Sequence, residues 1–278
     1  MQKCGALLLI LCATHGVAVA STASVARGEY VFNMGGCASC HTQDQPLAGA
    51  VELVTPFGTF YSPNISPDPQ YGIGGWSNAE FITAMRQGVS PDGGHYYPAF
   101  PYTSYINIPT QELIDLKAYL DAQKPVAKPT LEHALDFPFD QRALLGLWKI
   151  LNVSQPWAPD PQQSAGWNRG SYLVNGPGHC AQCHTPRNII GGLQSDVGMT
   201  GNVDGPDGEN VPALLDVAQT AFGGWSLDDI SFALELGMTP DGDFLGGSMS
   251  HVVDNTTGKM TPEDIEAVAE YLYSLNHP

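Results

Sequence analysis

Cys37-Ala38-Ser39-Cys40-His41 and Cys180-Ala181-Gln182-Cys183-His184 are two copies of one pattern, C-x-x-C-H. Two thiols at that spacing with an imidazole directly behind them form the attachment signature of a c-type haem. The thiols add across the porphyrin vinyl groups and the histidine supplies one axial nitrogen to the iron. A zinc ribbon would bring its second cysteine pair within roughly 15–20 residues, whereas here the second motif starts 143 residues after the first. A redox-active C-x-x-C pair needs no histidine behind it, still less twice. The pattern therefore predicts two covalently bound haem c groups, with Cys37, Cys40, Cys180 and Cys183 as attachment points and His41 and His184 as axial ligands.

The other two of the six cysteines, Cys4 and Cys12, fall in an N-terminal stretch that reads as an export signal over residues 1–20. Met1-Gln2-Lys3 is its charged start, the run from Cys4 to Cys12 its apolar middle, and Ala18-Val19-Ala20 its small-residue cleavage site. Leu11 is too bulky to precede a lipidated cysteine, so the reading is a soluble, periplasmic protein. After cleavage every cysteine belongs to a haem motif and none is left for a disulfide. The net charge of −17 disfavours nucleic acid and anionic lipid and would steer a partner with a basic patch. No later run approaches the ~18–20 apolar residues of a membrane span.

The elements that must position these motifs come in two sets. Arg27-Gly28-Glu29-Tyr30 answers Arg169-Gly170-Ser171-Tyr172, Gly74-Gly75-Trp76-Ser77 answers Gly223-Gly224-Trp225-Ser226, and Gly88 with Pro91-Asp92-Gly93 answers Gly237 with Pro240-Asp241-Gly242. A repeat of this length matches one compact domain rather than a solenoid unit. The expected organisation is a haem domain at 22–125, a Pro-rich linker at 126–165 and a second haem domain at 166–278. Leu113, Leu116 and Leu120 behind Pro109-Thr110, and Ile265, Val268 and Leu272 behind Thr261-Pro262-Glu263, predict a closing helix in each half. Within the linker, Ala143 to Leu151 is long enough for a short helix, read as packing across the two domains. Strand signals are weak throughout.

The sixth position on each iron separates carriers from catalysts. In the second half Met249 lies in a loop 65 residues after His184 and ahead of the last helix, and is the expected distal ligand, with Met260 next. The same offset in the first half lands on Phe100, which cannot bind iron. His95, five residues earlier, is one alternative; Met85, on a probable helix before Gly88, is another; an open site is the third. His179 and His251 read as solvated or propionate neighbours and are left out of the ligand set. Trp76, Trp225, Tyr30 and Tyr172 read as packing beside the haems, with ring N–H or O–H groups free to bond a propionate.

With these residues in place, the chain resembles the multi-haem cytochrome c subunits of periplasmic alcohol, aldehyde and sugar-acid dehydrogenases. The likeness covers both halves and is carried by Gly36 to Thr42, by Thr55-Pro56-Phe57-Gly58-Thr59-Phe60-Tyr61-Ser62-Pro63-Asn64-Ile65 and by Tyr97-Pro98-Ala99-Phe100-Pro101-Tyr102-Thr103-Ser104-Tyr105. It implies a mainly α fold of two tandem class I-like cytochrome c domains. It also implies a periplasmic dehydrogenase as electron donor, a cytochrome or oxidase as acceptor, and a membrane reached only peripherally through a partner. Family members often carry methionine where Phe100 stands, and their distal ligand matches Met249. An electron carrier is expected rather than an enzyme. The rival reading is a dihaem peroxidase or thiosulfate-type oxidoreductase, with the methionine-free first haem as its centre and His95 as acid/base.

Overall fold

The computed structural model describes residues 21–153, 156–216 and 222–277. The export signal expected at 1–20 lies outside the described residues. The first half contains α1 (Thr22–Met34), α2 (Cys37–His41), β1 (Glu52–Thr55), β2 (Gly58–Tyr61), α3 (Asn78–Gln87), α4 (Tyr102–Tyr105) and α5 (Thr110–Asp121). There follow β3 (Ala134–Leu135), a 3-10 turn at 142–144 and α6 (Leu145–Asn152). Then come α7 (Ala165–Asn175), α8 (Ala181–His184), α9 (Leu227–Leu236), α10 (Gly247–Asn255) and α11 (Pro262–Asn276). The fold is mainly helical, as the sequence predicts.

The duplicated sequence blocks turn out to be helix punctuation. Ser77 caps α3 and takes a bond from the Glu80 N–H while the Glu80 carboxylate returns to the Ser77 backbone; Ser226 and Asp229 do the same for α9. Each of these boxes satisfies two N–H groups that a helix start leaves without partners. Both helices end on a left-handed glycine, Gly88 (φ 60°) and Gly237 (φ 70°), a conformation glycine adopts without steric cost. The Arg-Gly block serves packing instead. A Cβ on Gly28 would run into the Asp115 carbonyl and Tyr119, and one on Gly170 into the Ala267 carbonyl and Tyr271. Glycine is what lets α1 lie against α5, and α7 against α11.

Around these helix pairs sit two apolar clusters. One joins Val31, Phe32, Phe81, Met85, Ile108, Leu113, Leu116 and Leu120; the other joins Tyr172, Leu173, Ile230, Leu234, Ile265, Val268 and Leu272. Met34, from α1, is 1% exposed and belongs to the second cluster, with Tyr30 packed beside it. The halves are further clasped by two matching bonds: Tyr30 donates to Asp264 at 2.5 Å, and Tyr172 to Glu112 at 2.6 Å. Glu112 and Asp264 hold corresponding places in the first turns of α5 and α11.

One small three-stranded sheet accompanies the helices, in keeping with the weak strand signals. β1 pairs antiparallel with β2, Leu53 opposite Phe60, and β2 pairs with β3, Gly58 opposite Leu135. In β1 the apolar Leu53 and Val54 are adjacent, so the sequence shows no alternating period there. The segment after α5 is laid over both halves. Leu145 is buried with Phe60 and Tyr97. Lys149 Nζ reaches the Gln87 and Gly88 carbonyls, both at 2.7 Å, and the Trp148 indole donates to the Ile190 carbonyl at 2.7 Å. The opposite side of α6, with Leu147, Ile150 and Leu151, is exposed. Among the described residues, no helix is long and apolar enough to cross a membrane.

Candidate functional site

Both C-x-x-C-H motifs form a single helical turn, α2 and α8, ending at the histidine. Cys37, Cys180 and Cys183 are half-buried and Cys40 is exposed. Burial first, and the second thiol of each pair next, push Cys37 and Cys180 up to about 12.

The two histidines are held alike. His41 Nδ1 lies 2.8 Å from the Pro63 carbonyl oxygen, and His184 Nδ1 lies 2.7 Å from that of Pro212. A carbonyl can only accept, so Nδ1 carries the proton and Nε2 presents a bare lone pair. Burial lowers both imidazoles below their ordinary value, more than the carbonyl contact raises them, which keeps the rings neutral. This is the tautomer, and the supporting bond behind the ring, that a metal-ligating histidine uses. Sequence reasoning missed Pro63 and Pro212, because a backbone oxygen carries no residue-type signal.

Around the second motif, Arg187 donates to the Gln182 carbonyl and side chain at 2.9 Å and to the Gly191 carbonyl at 2.8 Å, fixing the loop behind His184. Thr185, next to His184, is 2% exposed and its hydroxyl has no partner among the described residues. Two thiols, a bare imidazole nitrogen and a buried hydroxyl still to be paired fit a covalently held haem, and the first motif repeats the thiols and the imidazole.

The distal candidates are placed less evenly. Met249 is half-buried in the first turn of α10, whose opening Ser248 N–H rests on the Glu209 carboxylate at 3.1 Å. Met260 packs against the second core, and Met85 is buried in the first, where Phe100 also packs. His95 is turned toward α6: its Nδ1 takes Lys149 Nζ at 3.0 Å, and its Nε2 lies 3.3 Å from where a Cβ on Gly146 would stand. The partner of His95 Nδ1 is thus a lysine 54 residues downstream. Tyr30 and Tyr172 place their hydroxyls on carboxylates of the opposite half. Trp76 and Trp225 pack on the first and second cores.

His179, expected as a solvated or propionate neighbour, is instead seated between the motifs. Its Nδ1 contacts the Pro177 carbonyl at 2.7 Å and its ring meets Tyr105 edge to face at 5.7 Å. Nearby, Gln182 donates to Thr103 and Ser104 hydroxyls at 2.8 and 3.1 Å, tying α8 to α4. Burial raises the Cys183 thiol, Arg187 draws it down, and Cys40 adds to the rise. The His179 ring also stands beside the first motif, its Cε1 4.0 Å from where a Cβ on Gly36 would be.

A helical frame carrying two such sets of thiols and imidazole defines a c-type cytochrome. The cytochrome c family model matches residues 25–124. The chain is 44% identical over 263 residues to a protein of Cereibacter sphaeroides named "Diheme cytochrome c-type", covering 90% of this chain and 86% of that one. It is 38% identical over 270 residues to "Alcohol dehydrogenase (quinone), cytochrome c subunit" of Komagataeibacter europaeus, covering 92% of this chain and 57% of the relative. It is 35% identical over 288 residues to the protein of the same name in Gluconobacter oxydans, covering 98% of this chain and 60% of the relative. The chain thus spans somewhat over half the length of these alcohol dehydrogenase relatives. It belongs to the diheme cytochrome c-type family, with covalently bound haem c.

Proposed function

We propose that this chain is an exported electron carrier built as two class I-like cytochrome c domains, at 22–125 and 166–278, joined by the segment 126–165. Cys37, Cys40 and His41 hold one haem; Cys180, Cys183 and His184 hold the other. Electrons enter from a periplasmic dehydrogenase and leave to a downstream cytochrome or oxidase. The bound groups supply one-electron redox chemistry at iron. The chain supplies thiols for anchorage, an Nε2 lone pair for each iron, and the Pro63 and Pro212 carbonyls that fix ring plane and tautomer.

The matched pair of imidazoles carries this reading: two histidines 143 residues apart are locked in one tautomer by one kind of acceptor. The relatives support the donor class, since their names include cytochrome subunits of quinone alcohol, fructose and gluconate dehydrogenases. The acidic surface, at −17 overall, suits a partner with a basic patch. Met249 takes the sixth position of the second haem. Its soft thioether raises the potential there, so the first domain faces the donor. A peroxidase reading needs His95 as acid/base, and Lys149 already claims that ring.

The test is the visible and near-infrared spectrum of the oxidised, matured protein. Two porphyrins per chain and a methionine–iron charge-transfer band that disappears in Met249→Ala are expected. One porphyrin per chain, or a band that survives the substitution, overturns the corresponding assignment.

A further inference from the structure

The residue before the first cysteine of each motif takes a left-handed backbone: Gly36 at φ 58° and His179 at φ 41°. Glycine adopts that conformation freely, whereas a residue with a Cβ meets steric resistance. The first half shows that glycine can serve at this position, so the backbone alone does not account for the histidine. A residue held in a disfavoured conformation points toward a use for its side chain.

That side chain bridges the two halves. With Nδ1 on the Pro177 carbonyl, the ring cannot turn freely, and its Cε1 lies 4.0 Å from where a Cβ on Gly36 would be. Thr256 Oγ1, at the end of α10, is 3.0 Å from the same point. Tyr105, the ring's aromatic neighbour, donates to the Gly35 carbonyl at 2.9 Å. The residue preceding one attachment site is thus seated on those preceding the other, while Gln182, bonded to Thr103 of α4, completes the seam.

We propose that His179 is the positioning residue of the inter-haem junction: its imidazole, seated against Gly36 and Tyr105, is the spacer that fixes how the two C-x-x-C-H turns stand to each other, and so would set the rate of electron passage between the haems they would hold. This rests on the assignment of one haem to each motif made above. A single electron crosses; the iron that yields it goes from ferrous to ferric, the iron that takes it from ferric to ferrous, and no bond or proton changes place.

Two variants of the matured, haem-loaded chain test it. His179→Gly restores the residue of the other half and relieves the backbone; His179→Asn keeps a short polar side chain that tolerates the left-handed region. Haem per chain is counted first, then the bisignate Soret circular dichroism that two neighbouring haems produce, then the rate of inter-haem equilibration after photoreduction. In His179→Gly the haem count and melting temperature hold, the Soret couplet shrinks and the rate falls roughly tenfold, as a small misplacement of reacting centres demands; His179→Asn lies between. An unchanged couplet and rate in His179→Gly overturn the proposal, whatever the melting temperature does. A haem count of one in the unsubstituted chain overturns the attachment assignment instead, and this proposal with it.

Discussion

Removing the Tyr30 and Tyr172 hydroxyls should loosen the two halves from each other without touching either haem motif. Each phenol donates to a carboxylate across the interface, at 2.5 Å to Asp264 and 2.6 Å to Glu112. Hydrogen bonds to charged partners contribute about 1.5–3 kcal/mol. In Tyr30→Phe, Asp264 keeps Arg169 at 2.7 and 2.8 Å, so no orphaned charge adds to the loss, and about 1.5 kcal/mol is expected. In Tyr172→Phe the Glu112 carboxylate regains water, which brings the cost nearer to about 1 kcal/mol. The double variant then loses roughly 2.5 kcal/mol if the two clasps act independently, a fall of about 5–10 °C in melting temperature for a chain of this size. Denaturant unfolding of the haem-loaded protein, followed by far-ultraviolet circular dichroism, reads this directly. A pH series adds a sign. Burial raises the Asp264 carboxyl, but Arg169 and Tyr30 outweigh it and hold the group below its ordinary value. The folded chain therefore binds that proton less tightly than the unfolded one. The stabilisation is present above about pH 4 and lost as pH falls through the lower, folded value. The difference between wild type and Tyr30→Phe should shrink in acid. A double variant losing less than about 0.5 kcal/mol, within the range of neutral surface changes, would refute the reasoning.

Gly28→Ala and Gly170→Ala each force a methyl into a carbonyl of the facing helix, and overpacking of this kind costs about 1–3 kcal/mol; unfolding curves indistinguishable from wild type would show that the helices part easily. Burial lowers Lys149 to about 8 from 10.5, so the folded chain holds that proton less tightly than the unfolded one. Wild-type stability should consequently rise relative to Lys149→Met as pH climbs from about 8 toward 10.5, and a flat difference across that window would count against it.

What the residues announced, and what they kept back, follows from how far each signal travels along the chain. The closing helices were legible because apolar residues at three- and four-residue spacing stand behind Pro109-Thr110 and Thr261-Pro262, and α5 and α11 form there. The attachment motifs are local by nature. The repeated Gly-Gly-Trp-Ser blocks gave the register of the duplication, though their serines' work as helix caps emerged only with the helices. The partners of Tyr30 and Tyr172 were hidden because residue type and repeat position cannot say whether a ring faces its own half or the other. The partner of His95 was hidden for a related reason: the lysine that meets its Nδ1 arrives on another element. The seat of His179 between the motifs was hidden because a left-handed backbone leaves no mark in composition.

The third strand of the small sheet is lent by the connecting segment, with Ala134 and Leu135 closing the open side of β2. A gene fragment ending at residue 125 would strip that cover and leave Gly58 and Thr59 with unpaired backbone groups, an invitation for a second copy to dock there. The portable module is accordingly longer than its haem-bearing part. Anyone shuffling such halves between cytochromes would do well to carry the strap along, at least through Asn152, where its helix ends.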